Sequence, residues 1–480
     1  MSFCKTLYNY VLLAKQLNKI KNSYPTIQIN DIDVLFTKIN QCGAVCIKFS
    51  QWILPIIDNY YLVDDKKPEW FNHLEKIYDK CLTHPDEYTK KIYNSDYQEY
   101  DGIEFDEKYE IVEIIASGSI GQVYKIRDLV TKEIYAMKVV HPEVRTQINH
   151  FKTILKLISC FPCYKSLLRK YLPIDLTGFI EEFHIQTNMI QEATNMQRFY
   201  YYYKDCKKFI IPLAISFTRN ILIMEYNEGI RLDDLDVTDF TKRKIISYLL
   251  LHGRNNERIN LVHGDVHKGN WSVREVNGDN GDNGDNVEYS ILVYDFGITS
   301  SLQFSKIHIY DLALEIFQNS DESCKDPESL ITLIKLFMDI TDKHNEDHIR
   351  DYLTRHTQAD DKFLKLDPSK FFKIIIDLAQ KTNCLLNVSV IRFIIILIQL
   401  VKYYDKYYRP DGEDIVKDVF RNRLTENYTL CKTDNICPYY MKYLEKELNK
   451  KNETVDELFS LTAPAITNNL DLLREIKKNM

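Results

Sequence analysis

Glycine is sparse in this chain, with fourteen in 480 residues, and arginine is scarce beside abundant lysine, asparagine, isoleucine and tyrosine. That bias resembles the codon usage of an AT-rich genome and says nothing about chemistry. Long apolar runs are also missing. No stretch reaches the roughly 18 residues of a membrane span. The longest, "IRFIIILIQLV" at 391–401, is flanked by Arg392 and Lys402 and reads as a buried helix. Excess positive charge is absent as well: the formal net charge is -7, which argues against a nucleic-acid partner. A zinc framework is excluded by spacing. Cysteine is present eleven times, but "CFPC" (Cys160, Cys163) is the sole C-x-x-C, with no second pair nearby. Reduced thiols in a cytosol-like compartment are expected. The first 30 residues contain neither acid nor arginine, and no small-residue cleavage site follows a long apolar region. A secretory signal is therefore not expected, and a mitochondrial address is a minor alternative.

What is present is organised in three textures. Residues 1–107 show helical periodicity. From "YEIVEIIASGSIGQVYKIRDLVTKEIYAMKVVHPEV" the pattern becomes strand-like, with a small-residue turn between two β-rich runs and a third run, "EIYAMKVV". A helical stretch over about 144–203 and two further strands, "FIIPLAISFT" and "ILIMEYNEG", complete a segment spanning 108–227. Helices dominate 228–480, apart from a hairpin at 271–295. The hairpin's tip, "NGDNGDNGDN" at 277–286, is built of turn-forming steps and reads as a solvated, dispensable loop rather than a calcium site.

Chemistry-bearing residues follow in a fixed order. The turn Ala116, Ser117, Gly118, Ser119, Ile120, Gly121, Gln122 and Val123 offers small residues and backbone N–H groups for phosphate. Lys138 lies inside an apolar strand, where a lysine is rare unless paired; alone, it could equally be an edge residue turned to water. Glu192 lies on a helix and is a candidate partner for Lys138. Met224, Glu225 and Asn227 close a strand as a hinge suited to adenine. "HGDVHKGN" then places His263, Asp265, His267 and Asn270, and "VYDFG" places Asp295 before Gly297. Small-residue turn, strand lysine, helix glutamate, hinge, H-x-D-x-x-x-x-N and D-F-G form the ordered set of a protein-kinase-like phosphotransferase. In this reading Asp265 acts on the attacking hydroxyl. Asn270 and Asp295 supply hard oxygens to Mg²⁺, and the two histidines brace the loop.

These motifs resemble the UbiB (AarF-domain) family of atypical kinases associated with ubiquinone biosynthesis. "HGDVHKGN" fits the family's H-x-D-x-H-x-G-N. "ASGSIGQV" is similar to A-A-A-S-I-x-Q-V, "MKVVHPEV" to its strand lysine with a downstream H-P-G-V, and "QEATNMQRF" to R-E-A-x-N-x-x-R-F. "KFSQ" stands where the family carries K-x-G-Q in an N-terminal extension. The likeness covers about residues 40–320. Four departures stand out. Gly118 replaces an alanine, and Ser50 replaces the glycine of K-x-G-Q. Gln186 and Asn188 replace the two acids of the family's E-x-D. Gly264 stands in place of the H-R-D arginine, with no A-P-E after D-F-G; this last departure is shared by the family. The resemblance implies that Lys48 and Gln51 face Gln186 and Asn188 as a regulatory pair of segments. Charge-assisted contacts between them are unavailable without the acids.

The expected fold is α+β: a bilobal protein-kinase-like fold with a β-rich N-lobe (108–227), a helical C-lobe (228–480) and a helical extension (1–107). The expected activity is an ATP- and Mg²⁺-dependent phosphotransferase or ATPase, coupled to a lipid or quinone-like small molecule. An ordinary protein kinase and a nucleotide-binding pseudokinase scaffold are the alternatives. The expected location is the cytoplasm or a membrane surface.

Overall fold

The computed structural model describes residues 2–24, 26–61, 68–75, 83–98, 101–161, 173–204, 206–258, 262–276, 288–300, 343–359 and 368–388, with scattered positions between 331 and 407. The repeat at 277–286, Cys163, much of 391–401 and everything after 407 lie outside the described residues. By contact the chain forms two compact units. One comprises Met1–Glu133, Met137–Asn188 and Asp311–Ile398; the other comprises Ile134–Ala136, Met189–Tyr310 and Gln399–Met480. Both mix helices with strands, as an α+β fold requires. No described helix is long and apolar enough to cross a membrane.

In the first unit, α1 (Phe3–Ser23) starts at Ser2, whose hydroxyl accepts from Lys5 N–H. Helix α2 (Ile29–Cys42) buries Ile32, Leu35, Ile39 and Cys42, one stripe at helical spacing. That stripe packs with Phe71 and Leu74 of α4 (Glu69–Glu75). Gly43 separates α2 from α3 (Ala44–Tyr61) with φ +90°, a region that disfavours side chains. A Cβ there would strike the side chain of Gln147, whose Oε1 accepts from Ala44 N–H at 2.8 Å. Helix α5 (Asp86–Tyr97) and the short α6 (Phe105–Lys108) stack Tyr93, Tyr97 and Phe105 in the core.

Strand β1 (Tyr109–Ser117) pairs antiparallel with β2 (Gly121–Asp128), from Tyr109↔Asp128 to Ser117↔Gln122. β3 (Ile134–Val140) follows a turn in which Asp128 Oδ1 accepts from Val130 and Thr131 N–H. Next come α7 (Val144–Ser159) and α8 (Leu176–Ile185), the latter capped by Asp175. Phe179 of α8 meets Phe49 and Trp52 of α3 at ring-centroid distances of 5.3 and 5.4 Å. Arg392 is buried and bonded to Glu182 Oε2 at 2.6 Å.

Besides Ile134–Ala136, the second unit contains α9 (Met189–Tyr203), then β4 (Phe209–Ile210), β5 (Ala214–Phe217) and β6 (Ile221–Glu225). The sequence predicts one strand over 209–218; the structure breaks it at Pro212. Proline has no N–H to continue a ladder, so the halves find different partners. β4 runs parallel to β9 (Glu288–Val293), whereas β5 forms a hairpin with β6. Helix α10 (Asp239–Arg258) precedes β7 (Val262–His263), which pairs with β10 (Thr299–Ser300). The hairpin expected at 271–295 is present: β8 (Trp271–Val276) pairs with β9 from Trp271↔Val293 to Val276↔Glu288. Its repeat contains no apolar residue, and loop closure depends weakly on length. Replacing 277–286 with Asn-Gly therefore shifts the melting temperature little. A large loss in a thermal melt, or one reversed by calcium, would show that the loop carries structure.

Candidate active-site segments

The small-residue turn is closed by its own backbone. Gly118 N–H donates to Gly121 O at 2.9 Å, and Ile120 O accepts from His141 N–H at 2.8 Å, holding the turn on the end of β3. Gly121 has to be glycine, because a Cβ would lie 2.6 Å from Val139 O. Ala116 and Gly118 are exposed, Ser119 and Ile120 are buried, and Val123 follows in β2. Gln122 departs from the rest. It is fully buried, and its amide grips the main chain of His84: Oε1 accepts from His84 N–H at 2.9 Å, and Nε2 donates to His84 O at 3.3 Å. Its side chain is thus a joint to the segment before α5.

Lys138 is only 7 % exposed, so the edge-strand alternative is removed: this lysine faces inward. Glu192, on α9, is 1 % exposed; carboxylates are rarely buried so deeply unless paired. Lys48 and Gln51 are half-buried on α3, which packs against α8. Gln186, just past the end of α8, is buried and donates from Nε2 to Glu182 O at 3.3 Å. Thr187, between the two amides, is held by Arg145, whose Nη2 donates to Thr187 O at 2.6 Å. Asn188 immediately precedes α9. The K-x-S-Q segment therefore lies on α3, and Q-T-N forms the turn that follows α8, the helix packed against it.

In the second unit the remaining residues are fastened together by main-chain bonds. His263 donates from Nε2 to Tyr294 O at 3.0 Å, and its Nδ1 accepts from Asp265 N–H at 3.2 Å. These partners fix the neutral tautomer, and burial pushes the ring's pKa below the usual imidazole value. Asn270 donates from Nδ2 to Asp265 O at 2.8 Å, while Tyr294 N–H donates to Asn270 O at 2.8 Å. His267 Nδ1 accepts from Gly269 N–H at 3.0 Å. Both histidines brace the loop, and His263 also ties it to the residue preceding Asp295.

Asp295 has φ +54°, and its Oδ1 accepts from Gly297 N–H at 3.2 Å, a turn that aspartate tolerates better than most residues. Phe296 is fully buried, its ring 5.0 Å from both Phe199 and His263, and its carbonyl accepts from Asn195 of α9. The helix bearing Glu192, the H-x-D-x-x-x-x-N loop and D-F-G are one packed body. At the hinge, Met224 is buried. Glu225 returns its side chain to Leu213 N–H at 3.0 Å, and Asn227 O accepts from the Tyr294 hydroxyl at 3.3 Å.

Gly264 explains its own departure from H-R-D. Its N–H donates to Ile298 O at 2.9 Å, and a Cβ would stand 2.5 Å from Ile298 Cγ2. No side chain fits without displacing Ile298, the residue after D-F-G. Gly264→Ala is expected to cost about 1–3 kcal/mol, as overpacking typically does. Unchanged denaturant unfolding in that variant would contradict the close contact.

The donor set suits a hard cation. Because Asn270 Nδ2 is committed to a carbonyl, the oxygen of its amide is the atom left for a metal. Among the described residues no cluster of three or more His, Cys, Asp or Glu side chains forms a protein-only cage. One amide and one carboxylate, with nucleotide phosphates completing the shell, is the usual arrangement for Mg²⁺. Sequence reasoning passed over His84 entirely and gave His141 no role. A histidine directly after an apolar strand was the available signal for the latter.

The chain is similar to several known proteins. The yeast "ABC1 family protein MCP2" is 29% identical over 175 residues, 34% of this chain and 30% of that protein. The Arabidopsis thaliana "Protein ACTIVITY OF BC1 COMPLEX KINASE 3, chloroplastic" is 29% identical over 178 residues, 33% of this chain and 23% of that protein. The matched stretch thus spans under a third of each relative. A Mycobacterium tuberculosis Rv3197–erythromycin complex aligns with TM-score 0.41 and 18% identity, covering 63% of this chain and 79% of that one. The model of the ABC1 atypical kinase-like domain matches residues 76–326, just over half of the sequence, and the chain belongs to that kinase-like family, the one its UbiB-type motifs resemble.

Proposed function

We propose that this protein binds Mg-ATP and transfers or hydrolyses the γ-phosphate. The observation that carries the reading is the joining of Asp265, Asn270 and Asp295 through His263 and Tyr294, which holds in fixed register the three residues that would serve as base and metal donors. Lys138 and the 116–123 turn would hold phosphates, and Met224, Glu225 and Asn227 would border the adenine. Asn270 and Asp295 would hold Mg²⁺, which neutralises developing charge on the phosphates. Asp265 would orient or deprotonate the attacking hydroxyl or water. Lys48, Gln51, Gln186 and Asn188 would tune access to that chemistry.

The acceptor is proposed to be a lipid or quinone-like small molecule, reached at a membrane surface or in the cytosol. Support comes from the family motifs, and from the Arabidopsis relative whose name associates it with BC1 complex activity. ADP release by the purified chain with Mg-ATP, with and without vesicles and quinone-like lipids, tests the reading. Turnover stimulated by the lipids supports it. Phosphorylation of added proteins would favour an ordinary protein kinase, and Mg-ATP binding without any ADP release would favour a scaffold.

A further inference from the structure

A chain of hydrogen bonds, buried at its inner end, reaches the small-residue turn. His141 Nε2 lies 3.0 Å from Gly118 O and 3.3 Å from Ser117 Oγ. Its other nitrogen, Nδ1, lies 2.7 Å from Nδ1 of His84. His84 Nε2 lies 2.9 Å from Thr89 Oγ1, which donates to the Tyr124 hydroxyl at 2.9 Å. The main chain of His84 is gripped from both sides by Gln122. Nothing in the motif set accounts for this arrangement.

The proton positions follow from the partners. A carbonyl only accepts, so His141 Nε2 carries its proton toward Gly118 O. In the neutral ring Nδ1 is then bare, and His84 Nδ1–H donates to it. His84 Nε2 is then bare, and accepts from Thr89 when that hydroxyl turns from the Tyr124 oxygen to which it donates. One proton lies between two facing ring nitrogens, and a second cannot be placed there without opposing two N–H groups. Burial acts in the same direction, holding His84 at about 4 and His141 below the usual imidazole value.

We infer that His84 and His141 are positioning residues that clamp the Gly118 carbonyl and so aim the turn's N–H groups at nucleotide phosphates. The inference rests on the proposed ATP-binding role of that turn. The clamp reaches from the segment before α5 into the turn, so the helical extension would set how firmly nucleotide is held. It also makes the hold sensitive to acid. An opened His84 has the ordinary value near 6.5, so opening is favoured progressively as pH falls from about 6.5 toward 4. The neighbouring ionisable groups are Tyr88, edge-on at 4.9 Å, and Tyr124, at 6.1 Å. Burial raises both, Tyr124 to about 12, so neither is charged in this range. Behind them, Asp86 acts on Tyr124, and Arg145 and Asp96 act on Tyr88.

The experiment uses the full chain in three forms: wild type, His84→Leu and His84→Gln, whose amide donates to His141 Nδ1 but does not titrate. Calorimetry with Mg-ATP gives affinity, and amide exchange without nucleotide reports the protection of 118–121 and 141. His84→Leu is expected to weaken ATP binding about tenfold, one hydrogen bond's worth, with a smaller change in kcat, and to lose protection. His84→Gln restores both at pH 7.5 and flattens the loss of affinity between pH 6.5 and 5. Ring nitrogen shifts of the wild type should show Nδ1–H on His84 and Nε2–H on His141, a readout independent of any variant's folding. Other tautomers, or unchanged protection in His84→Leu, overturn the clamp. Lost protection with unchanged ATP affinity overturns its role in nucleotide binding. Absence of ATP binding in the wild type defeats the functional reading instead, and the exchange data still decide the clamp.

Discussion

Asp265→Asn is expected to lower ATP turnover by about three orders of magnitude, within the range for a lost general base, while the Kd for Mg-ATP stays within a few-fold. The substitution is nearly isosteric. The main-chain bonds at this position, N–H to His263 Nδ1 and O from Asn270 Nδ2, do not involve the carboxylate and survive it. What is lost is the negative charge, which lies with Oδ1 3.8 Å from His267 Nε2. Rapid-quench measurement of ADP formation beside calorimetric binding separates the two quantities. Turnover at the wild-type rate would mean that another group activates the nucleophile.

The second large effect concerns binding. A ligand at a hundredfold excess over its Kd stabilises the native state by about 2.7 kcal/mol. Lys138→Ala and Asp295→Asn are each expected to abolish that gain for Mg-ATP. Asparagine tolerates the positive φ of position 295, so the turn is retained and the loss reports on the metal. Lys138→Ala removes a buried side chain from β3 and lowers stability by itself. The informative quantity is therefore the difference in melting temperature with and without Mg-ATP within each variant. Equal differences in all three proteins would remove both residues from the binding reaction.

The parts of the molecule legible in the sequence are those whose chemistry is local. H-x-D-x-x-x-x-N and D-F-G lie in short runs whose residue types are costly anywhere else, and the β8–β9 hairpin is announced by its turn composition. The long-range joints were not legible. His84 meets Gln122 over 38 positions and His141 over 57, and no local pattern encodes such pairings. Gln122 illustrates the consequence: its place in the turn motif suggested a ligand contact, but its amide is spent on the backbone of His84. The break at Pro212 was overlooked because the apolar pattern continues through it. Helix α1 inverts expectation, with Thr6 and Asn9 buried on His150 and Gln41 while Leu7, Tyr8 and Val11 face outward. Polar side chains with buried partners reverse an amphipathic reading.

The β8–β9 register also bears on how this gene can drift. Trp271↔Val293 marks the end of the ladder next to Asn270, and Val276↔Glu288 marks the other. Five residue steps at roughly 3.3 Å put about 16 Å of paired strand between Asn270 and the repeat. The repeat is three tandem Asn-Gly-Asp triplets followed by one further asparagine. Replication slippage adds or removes such units whole, preserving the reading frame and the hydrogen-bonded end that carries Asn270. Copy number at this locus is therefore expected to vary among natural isolates without selection against it, an internal ruler of lineage rather than of activity.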